Sequence, residues 1–329
     1  MRARPEGLAD KAVLAALRAG WEFDARVAEH VPVGGGSYHW KVTDATGLSC
    51  FATVDDLTRK AWLGTAGDET FAGLRRALDT ALELSDAGLD FVVAPIRTRD
   101  GESLRRLDSR YALALYAFVP GEVGQFGRFE NDEHRRAVIA MLAELHSATA
   151  PVARVVGFDL PGLEHLEGAL RELDEPWTGG PLSEPARVAV ANAASELAEV
   201  LALSGRLAAK AQAEGGEWVI THGEPHPGNI LRTSDGWRLV DWDTVAVAPR
   251  ERDLWLPLLG GDGDPADLYG KPVSSAALDF FRLAWDLKDL AEYLVVFRAP
   301  HEENADTVRQ LQALADAAAI REQWTSQLD

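Results

Sequence analysis

Residues 221–243, THGEPHPGNILRTSDGWRLVDWD, carry the strongest structural signal in the 329-residue chain. Glycine and proline interrupt the first half of this stretch at four positions: Gly223, Pro225, Pro227 and Gly228. A helix is excluded there, because proline lacks a backbone donor and clashes with the preceding turn. We therefore predict an ordered loop between two apolar runs. The loop carries four polar side chains: His222, Glu224, His226 and Asn229.

Two histidines in one loop raise the possibility of a zinc site. A zincin-type pair stands on a helix, which places both imidazoles on one face. Because the segment from His222 to His226 cannot be helical, the sequence disfavours a zinc hydrolase.

The same loop supplies the groups that kinase-type phosphoryl transfer requires. One carboxylate must accept or orient the proton of the attacking hydroxyl, an amide oxygen must help to hold magnesium, and a second carboxylate must bind the metal at the phosphates. In protein kinases the catalytic acid and the metal-binding asparagine are five positions apart, and Glu224 and Asn229 have the same offset. A short hairpin then leads to Asp241 at the end of an apolar run. This combination predicts a phosphoryl-transfer site.

Upstream of the loop, helical and strand patterns alternate. Apolar residues at helical spacing predict a first helix in residues 8–20. Three antiparallel strands are predicted in residues 21–31, 37–43 and 48–54, with the glycine-rich turn VGGGS between the first two. A second helix is predicted from Glu69 to Ala87.

Two further strand-like runs, FVVAPI at 91–96 and YALALYAFV at 111–119, precede a chain reversal. Almost everything after it has a helical pattern, apart from the loop block described above. We therefore predict an α+β, bilobal chain. Its small β-rich N-lobe would span residues 1–118, its hinge 119–124, and its larger, mainly helical C-lobe 125–329.

Composition bears on partners and compartment. The net charge is −19 with histidine neutral. The electrostatic field of such a protein repels nucleic acid and anionic membranes and attracts cationic partners. An equally open interpretation is that the acidic residues only keep the protein soluble. No apolar run reaches the roughly 18–20 residues that span a bilayer, and no secretory signal is recognised. The single cysteine, Cys50, is expected to be a buried thiol. We expect a cytoplasmic monomer or homodimer that binds neither nucleic acid nor membrane.

The motifs resemble those of a known enzyme family. HGEPHPGNIL, residues 222–231, is similar to the HGDxHxxN loop of aminoglycoside phosphotransferases and of related choline- and homoserine-type kinases. LVDWDTVAVAPRERDLW, residues 239–255, resembles the metal-binding aspartate segment of that family, LAELHSATAP its helix after the hinge, and YAFVPGE its hinge. The resemblance runs from about Val33 to Trp255. It implies a protein-kinase-like fold, Mg²⁺, ATP or GTP as phosphate donor, and a small-molecule hydroxyl as acceptor.

The resemblance also implies roles for the loop residues. Glu224 lies where the family places its catalytic aspartate, and Asn229 and Asp241 match the magnesium ligands. His222 matches the loop histidine of the catalytic group, whose expected role is to brace the loop. For His226, packing within the loop is favoured over contact with substrate.

Two aspartates downstream complete the inferred site. Asp243 is a candidate for an additional carboxylate at the metal. Asp253 is expected to be a structural anchor of the catalytic loop.

Glu224 departs from the family pattern, which has aspartate at this position. The additional methylene moves the carboxylate by about one bond length, and positioning is much of what this chemistry requires. Glutamate can still act as a base, because its reference pKa is close to that of aspartate. We expect Glu224 to be a displaced but usable base.

The third strand departs more seriously. Family members carry a lysine there that pairs with phosphate oxygens and with a helix glutamate, whereas Thr53 occupies the corresponding position in FATVDDL. We predict that Lys41, on the adjacent strand, replaces it. A solvated strand lysine is the open alternative, and Lys60 and Arg59 are less favoured candidates just past the strand.

Further nucleotide contacts are predicted from the glycine-rich turn and the hinge. The backbone N–H of Gly36 and the hydroxyl of Ser37 can donate hydrogen bonds to phosphate oxygens. The turn is not a GxGxxG motif, and its place between the first two strands is what supports the assignment. As the resemblance implies, backbone groups near Ala117 and Val119 would face the adenine edge.

The acceptor is predicted to bind in the helical lobe. In FRLAWDLKDLAEYLVVF, Asp286, Asp289 and Glu292 follow one another at three-residue steps and share one broad helix face, with Trp285 beside them. Acidic and aromatic groups together suit a cationic amine. A solvated acidic face of an amphipathic helix is the alternative.

Three functions are compatible with these features. The leading hypothesis is a Mg²⁺- and nucleotide-dependent O-phosphotransferase for a small polar molecule such as an aminoglycoside, an aminocyclitol or another antibiotic, with antibiotic resistance as one biological role. The second is a metabolic kinase of choline, homoserine or sugar type. The third is an inactive nucleotide-binding pseudokinase, which Thr53 and Glu224 favour and Asn229 and Asp241 oppose.

Overall fold

The computed structural model describes residues 4–125, 129–152, 154–160, 162–259, 264–318 and 324. The chain divides into two compact units. The first comprises Met1–Val155 and Trp218–Gly270, and the second comprises Val156–Glu217 and Lys271–Asp329. The predicted functional division at residues 119–124 stays a prediction.

The described residues form mixed helix and sheet structure. The strands are β1 (Ala25–Val31), β2 (Ser37–Asp44), β3 (Ser49–Asp56), β4 (Arg105–Arg106), β5 (Tyr111–Ala117), β6 (Glu122–Val123), β7 (Trp218–Thr221), β8 (Ile230–Thr233), β9 (Gly236–Leu239) and β10 (Ala246–Pro249). The helices are α1 (Asp10–Gly20), α2 (Gly67–Asp86), α3 (Asp132–Leu145), α4 (Leu163–Arg171), α5 (Ser183–Asn192), α6 (Ala194–Glu214), α7 (Glu251–Leu258), α8 (Pro265–Tyr269), α9 (Ser275–Arg298) and α10 (Ala305–Ala318).

An antiparallel five-stranded sheet, in the order β1-β2-β3-β5-β4, lies in the first unit. Strand alternation places Trp40 of β2 on the inner face, where it packs with Val13 and Leu17 of α1. The Trp40 indole Nε1–H donates to the Asp10 carboxylate at 2.9 Å. Lys41 therefore belongs to the opposite face of β2. The three strands and the two helices predicted in the first 87 residues are confirmed.

The strand predicted at FVVAPI, residues 91–96, is wrong. Val92 makes only an isolated bridge to Leu239, and the N–H of Ile96 donates instead to the carbonyl of Leu115 at 2.6 Å. The segment thus divides its backbone hydrogen bonds between two partners, and Pro95 has no donor to offer a ladder.

Short strands surround the loop of residues 222–229. Strands β7 and β10 pair in a two-stranded sheet. Strands β6, β8 and β9 form a three-stranded sheet. The hairpin predicted to lead to Asp241 is β8–β9. The short strand β10 has no counterpart among the sequence predictions.

The second unit is helical in its described part. Helix α6 packs against α9, which begins at an N-cap where Ser274 Oγ accepts the Ala277 N–H at 3.0 Å. The buried Ser183 Oγ donates to the carbonyl of Phe297 at 2.7 Å and fixes the start of α5 against the end of α9.

In the described part of the chain, no single helix is both long and apolar enough to cross a membrane. The bent pair Ser183–Asn192 and Ala194–Glu214 meets the criteria only when its two helices are taken together.

Candidate active site

The predicted catalytic loop is fastened to the start of α7 by one carboxylate. The backbone N–H groups of His222 and Gly223 donate to the two oxygens of Asp253 at 2.7 and 2.6 Å. His146, the residue that follows α3, contacts the same carboxylate through Nε2 at 3.2 Å. Burial raises the pKa of a carboxyl group, but the hydrogen bond from His146 and the charge of Arg252 outweigh it and hold the pKa of Asp253 below its usual value. The prediction that Asp253 anchors the loop is confirmed.

His222 connects the loop to the segment that carries Asp241. Its Nε2–H donates to the carbonyl of Val240 at 3.0 Å, while its Nδ1 accepts the N–H of Glu224 at 3.2 Å. These two bonds require the neutral tautomer protonated at Nε2, and burial lowers the pKa of the imidazole accordingly. The ring is fully buried and packs edge-on against Trp242. His222 is therefore a positioning residue for Glu224, in agreement with the expected brace.

Only glycine is compatible with position 223. Gly223 has φ +99°, and a Cβ there would lie 2.2 Å from Nη2 of Arg252. The Arg252 guanidinium is held in place by Thr221 Oγ1 at 2.7 Å and by the carbonyl of Thr244 at 2.9 Å. The absence of a Cβ at position 223 is what lets this guanidinium approach the loop backbone.

Glu224 and Asn229, which are five positions apart, meet in the folded loop. Nδ2 of Asn229 donates to the backbone carbonyl of Glu224 at 3.0 Å, and the N–H of Val240 donates to the backbone carbonyl of Asn229 at 3.0 Å. Asn229 is thereby tied to the backbone of Glu224 on one side and to Val240, which precedes Asp241, on the other. With Nδ2 engaged in this way, Oδ1 is the amide atom that a metal would take.

Asp241 adopts left-handed backbone geometry, with φ 69° and ψ 65°, and is the non-glycine residue with positive φ among the described residues. Such geometry costs on the order of 1–2 kcal/mol outside glycine, with aspartate among the tolerated types. The residue is exposed to solvent, and the charges that act on it are those of Asp243, Lys60, Glu224 and Asp55. Desolvation and the neighbouring Asp243 raise the pKa of Asp241 well above its usual value, although Lys60 opposes them.

Asp243 is buried and paired with Lys60, which the sequence predicts less strongly than Lys41 as the phosphate-binding lysine. Nζ of Lys60 bonds Oδ2 of Asp243 and lies 3.0 Å from Oδ1 of Asp55. Lys60 itself is only 1% exposed. Burial lowers the pKa of an ammonium, but Asp243, Asp55 and Asp241 outweigh it, so the pKa of Lys60 lies well above its usual value. The structure thus brings one cation to the predicted metal-binding carboxylates.

The predicted nucleotide contacts are divided between two places. Ser37 donates through Oγ to Oδ1 of Asp55 at 2.6 Å, and a Cβ on Gly36 would lie 4.0 Å from Nζ of Lys60. Lys41 lies elsewhere, with its Nζ 4.9 Å from the centroid of the Phe118 ring. Its proposed role at the phosphates stays a prediction.

The hinge residues predicted to face the adenine edge lie at and just beyond the end of β5. Ala117 is the last residue of that strand and is exposed, and Val119 is half-buried. Ala117 pairs with Cys50 of β3, whose thiol is buried as expected.

His226 packs within the catalytic loop. A Cβ on Gly228 would lie 3.1 Å from the imidazole, which therefore rests on this glycine. Burial lowers the pKa of His226 to about 4, so the ring is neutral near pH 7. This position agrees with the favoured packing role.

The predicted acceptor residues Trp285, Asp286 and Asp289 lie on α9, in the second unit. Asp286 is mostly enclosed, and burial raises its pKa to about 6 despite the charge of Arg282. Nζ of Lys288 lies 5.5 Å from the Trp285 ring. Contact of these residues with an acceptor stays a prediction.

The donor chemistry of the loop agrees with a hard divalent cation. Among the described residues, no group of three or more His, Cys, Asp and Glu side chains is arranged to hold a metal ion. The amide oxygen of Asn229 and the carboxylates of Asp241 and Asp243 are nevertheless the ligand types that Mg²⁺ takes, usually together with water and substrate phosphates. These three residues fit magnesium in donor chemistry.

The sequence does not predict the residues that hold the backbone of the loop in place. Arg252 and Thr244 hold the loop, with Thr244 Oγ1 donating to the carbonyl of His222 at 2.8 Å. Arg154 donates to the carbonyl of Thr244 at 3.2 Å. Asp55 could have been found, because strand alternation places it on the same face of β3 as Thr53.

Comparison with models of protein families assigns the chain to a family. Residues 63–293 match the model of the phosphotransferase enzyme family. The chain belongs to that family. It is therefore a phosphotransferase with the kinase-like fold expected from its motifs, and the predicted enzyme class of small-molecule kinase is confirmed.

Individual relatives are distant in sequence. Protein StrN of Streptomyces griseus is 28% identical over 241 residues, which cover 70% of this chain and 72% of StrN. The structure of spectinomycin phosphotransferase APH(9)-Ia with ADP and spectinomycin has a TM-score of 0.74 at 17% identity and covers 97% of this chain and 100% of that one. Amicoumacin kinase hAmiN, with AMP-PNP, Ca²⁺ and its ligand, has a TM-score of 0.54 at 16% identity, with 94% of each chain covered.

Proposed function

We propose that this protein is a Mg²⁺-dependent O-phosphotransferase that moves the terminal phosphate of ATP or GTP to a hydroxyl of a small polar molecule, such as an aminoglycoside, an aminocyclitol or another antibiotic. The observation that carries the proposal is the bond from Asn229 to the carbonyl of Glu224. It joins the candidate base to the candidate metal-binding residues in the first unit, beside an acidic cluster that holds one buried lysine.

Glu224 is the residue that handles the proton. Its carboxylate accepts the proton of the acceptor hydroxyl while the hydroxyl oxygen bonds to the γ-phosphorus and the bond from phosphorus to the β–γ bridging oxygen breaks. The nucleoside diphosphate leaves with that bridging oxygen. The backbone of Glu224 is fixed at both ends, by His222 at its N–H and by Asn229 at its carbonyl, which limits the error that its longer side chain introduces.

Magnesium would be held by Asn229, Asp241 and Asp243. When bound, it neutralises charge that develops on the phosphate oxygens. The ADP, AMP-PNP and Ca²⁺ found with the two similar structures support a nucleotide donor and a divalent cation here.

An antibiotic acceptor is the substrate class that we favour. The similar structures hold spectinomycin and amicoumacin. Asp286 and Asp289 on α9 are charges that suit a cationic amine on such an acceptor.

Calorimetric titration with Mg·ATP and Mg·GTP tests the donor side directly. The wild-type protein should bind one of them only with magnesium, and Asp241→Ala should abolish that binding. Glu224→Gln should bind nucleotide normally but transfer phosphate at least about 100-fold more slowly, because only the base is removed.

A panel of aminoglycosides, spectinomycin, choline and homoserine, with products identified by mass, then tests the acceptor. Phosphorylation of choline or homoserine alone would replace the antibiotic assignment with a metabolic one. A folded wild-type protein that binds neither nucleotide would refute the phosphotransferase proposal in favour of an inactive binding module.

A further inference from the structure

Lys60 lies just past the strand on which the family pattern places a lysine. It follows β3 by way of a single 3₁₀ turn, Leu57–Arg59, and precedes a second, Ala61–Leu63. Its ammonium nevertheless reaches a carboxylate that is 183 residues away in sequence, that of Asp243. The side chain is almost completely buried, which is rare for lysine unless the charge is compensated.

Asp55 compensates that charge and also connects it to the glycine-rich turn. Its Oδ1 lies 3.0 Å from Nζ of Lys60 and accepts the Ser37 hydroxyl at 2.6 Å. Gly36 lies close to the ammonium, since a Cβ on it would be 4.0 Å from Nζ. A turn predicted to drape over phosphates is thus linked, through one carboxylate, to a buried cation.

The ammonium also has hydrogen-bonding capacity for a ligand. A lysine carries three N–H donors, and within the part of the chain that the structure describes, the oxygen partners of Nζ are the carboxylates of Asp55 and Asp243. Neither partner comes from helix α2, which is the helix that follows β3. One of the two, Asp55, belongs to the same strand-and-turn segment, DDLTRK, as the lysine itself.

Lys41 does not share these features. Its ammonium lies over the Phe118 ring at the end of β5, and its side chain is only half-buried. Thr53, at the expected lysine position, is occupied by a local contact, since its Oγ1 lies 3.3 Å from Nδ1 of His39.

We infer that Lys60 is the phosphate-binding cation of this enzyme and that Asp55 is its positioning residue. Together they replace the strand lysine and helix glutamate that the family pattern leads one to expect. This inference rests on the proposed function, because it assigns the donor phosphates to the same site. Lys60 contacts a phosphate oxygen of the nucleotide. Asp55 positions Lys60 through its ion pair and Ser37 of the glycine-rich turn through a hydrogen bond.

The test is the affinity for Mg·ATP and Mg·GTP, measured by calorimetry on folded full-length variants. Lys60→Met should weaken binding of the preferred nucleotide roughly tenfold to a hundredfold, the size expected for loss of a hydrogen bond to a charged group. Lys60→Arg should recover part of that loss. Lys210→Met, which removes an exposed lysine of α6, is the matched control and should leave affinity unchanged.

Asp55 requires a readout that a purely structural role would not change. Asp55→Asn should raise the KM for nucleotide several-fold and leave the KM for acceptor unchanged, whereas general destabilisation would not separate the two. Lys60→Met leaves the buried carboxylates of Asp55 and Asp243 without their ammonium. The double variant Asp55→Asn with Lys60→Met removes one of these two charges together with the lysine and leaves less charge uncompensated. If the single variant fails to fold, the nucleotide affinity of the double variant decides.

Each outcome bears on the inference. Wild-type binding with a loss of tenfold or more in the Lys60 variants, and a smaller loss in Lys41→Met, supports it. Wild-type binding with less than a threefold loss on removal of Lys60, or a greater loss in Lys41→Met, overturns the inference but leaves the proposed function intact. Absence of nucleotide binding by the wild-type protein overturns both.

Discussion

Removing the charge of Asp253 while keeping its shape should both destabilise the first unit and slow phosphate transfer. The side chain is fully buried and accepts the N–H groups of His222 and Gly223 at 2.7 and 2.6 Å. In Asp253→Asn one amide oxygen remains to accept one of these donors. The other donor then faces the amide NH₂ group, which cannot accept it.

The magnitude follows from these two bonds. A hydrogen bond to a charged group contributes about 1.5–3 kcal/mol, so the pair contributes about 3–6 kcal/mol. The remaining amide oxygen recovers about 1 kcal/mol as a neutral bond. We therefore expect Asp253→Asn to lower the free energy of unfolding by about 2–5 kcal/mol, which leaves the protein folded if its stability lies above the lower end of the usual range of about 5–15 kcal/mol.

Urea denaturation followed by tryptophan fluorescence measures the loss, since the buried Trp242 packs against His222. Asp86→Asn is the control, because Asp86 pairs with Arg97 at 2.8 Å on the exposed surface, where such a pair contributes at most about 1 kcal/mol. The folded variant should keep its nucleotide affinity and lose kcat, because Glu224 is no longer held. A loss of stability below about 1 kcal/mol with normal kcat would refute the anchoring role.

The pH dependence provides a second measurement of the same contribution. The pKa of Asp253 is lowered in the folded protein, so its stabilisation is fully present above the unfolded pKa, near 3.9, and is lost as the pH falls through the folded value. The difference in stability between wild type and Asp253→Asn should therefore be constant from pH 7 to about 5 and shrink only below about pH 4. A difference that disappears by pH 6 would point to another titrating group.

Two further substitutions test the neighbouring loop. Asp241→Asn should raise the free energy of unfolding at pH 7 by up to about 1 kcal/mol, a figure discounted for the solvent access of the side chain, because the ionised carboxylate is disfavoured in the folded protein. Calorimetric melts should show this gain shrinking as the pH falls towards 4, and a lower melting temperature of the variant at pH 7 would contradict the reasoning. Gly223→Ala should destabilise the protein by more than about 3 kcal/mol, because the new Cβ would lie 2.2 Å from Arg252 Nη2. Gly88→Ala, at a similar φ of +95° but with nothing within 4 Å, should cost only about 1–2 kcal/mol in the same urea assay, and equal losses in the two variants would exclude the Arg252 contact as the cause.

The catalytic loop could be predicted because its information is local. Proline and glycine exclude a helix over a few residues, and the five-residue offset from Glu224 to Asn229 is closed by one hydrogen bond within the loop. The resemblance supplied the longer connection to Asp253, which lies 31 residues beyond His222. Neither step required knowledge of how distant segments pack.

Lys60 could not be placed in this way. Strand alternation predicts side-chain direction only as far as β3 extends, to Asp56, and the following 3₁₀ turns break that periodicity. Its decisive partner, Asp243, belongs to another segment of the chain. The sequence favours Lys41 because it lies on the strand adjacent to Thr53, although strand alternation does not show which face of that strand meets the nucleotide.

The charges around Lys60 argue against a protein that binds nucleotide without metal. Asp55, Asp241 and Asp243 surround this one ammonium, and a further acid, Glu224, acts on Asp241. A triphosphate without metal would add negative charge beside carboxylates that already outnumber the one ammonium. Repulsion would therefore weaken nucleotide binding unless a divalent cation bound as well. Desolvation and the neighbouring Asp243 raise the pKa of Asp241, and the excess of carboxylates is a reason to expect nucleotide binding that depends on a divalent cation. A regulatory pseudokinase that captures nucleotide alone would need the opposite balance of charge at this position.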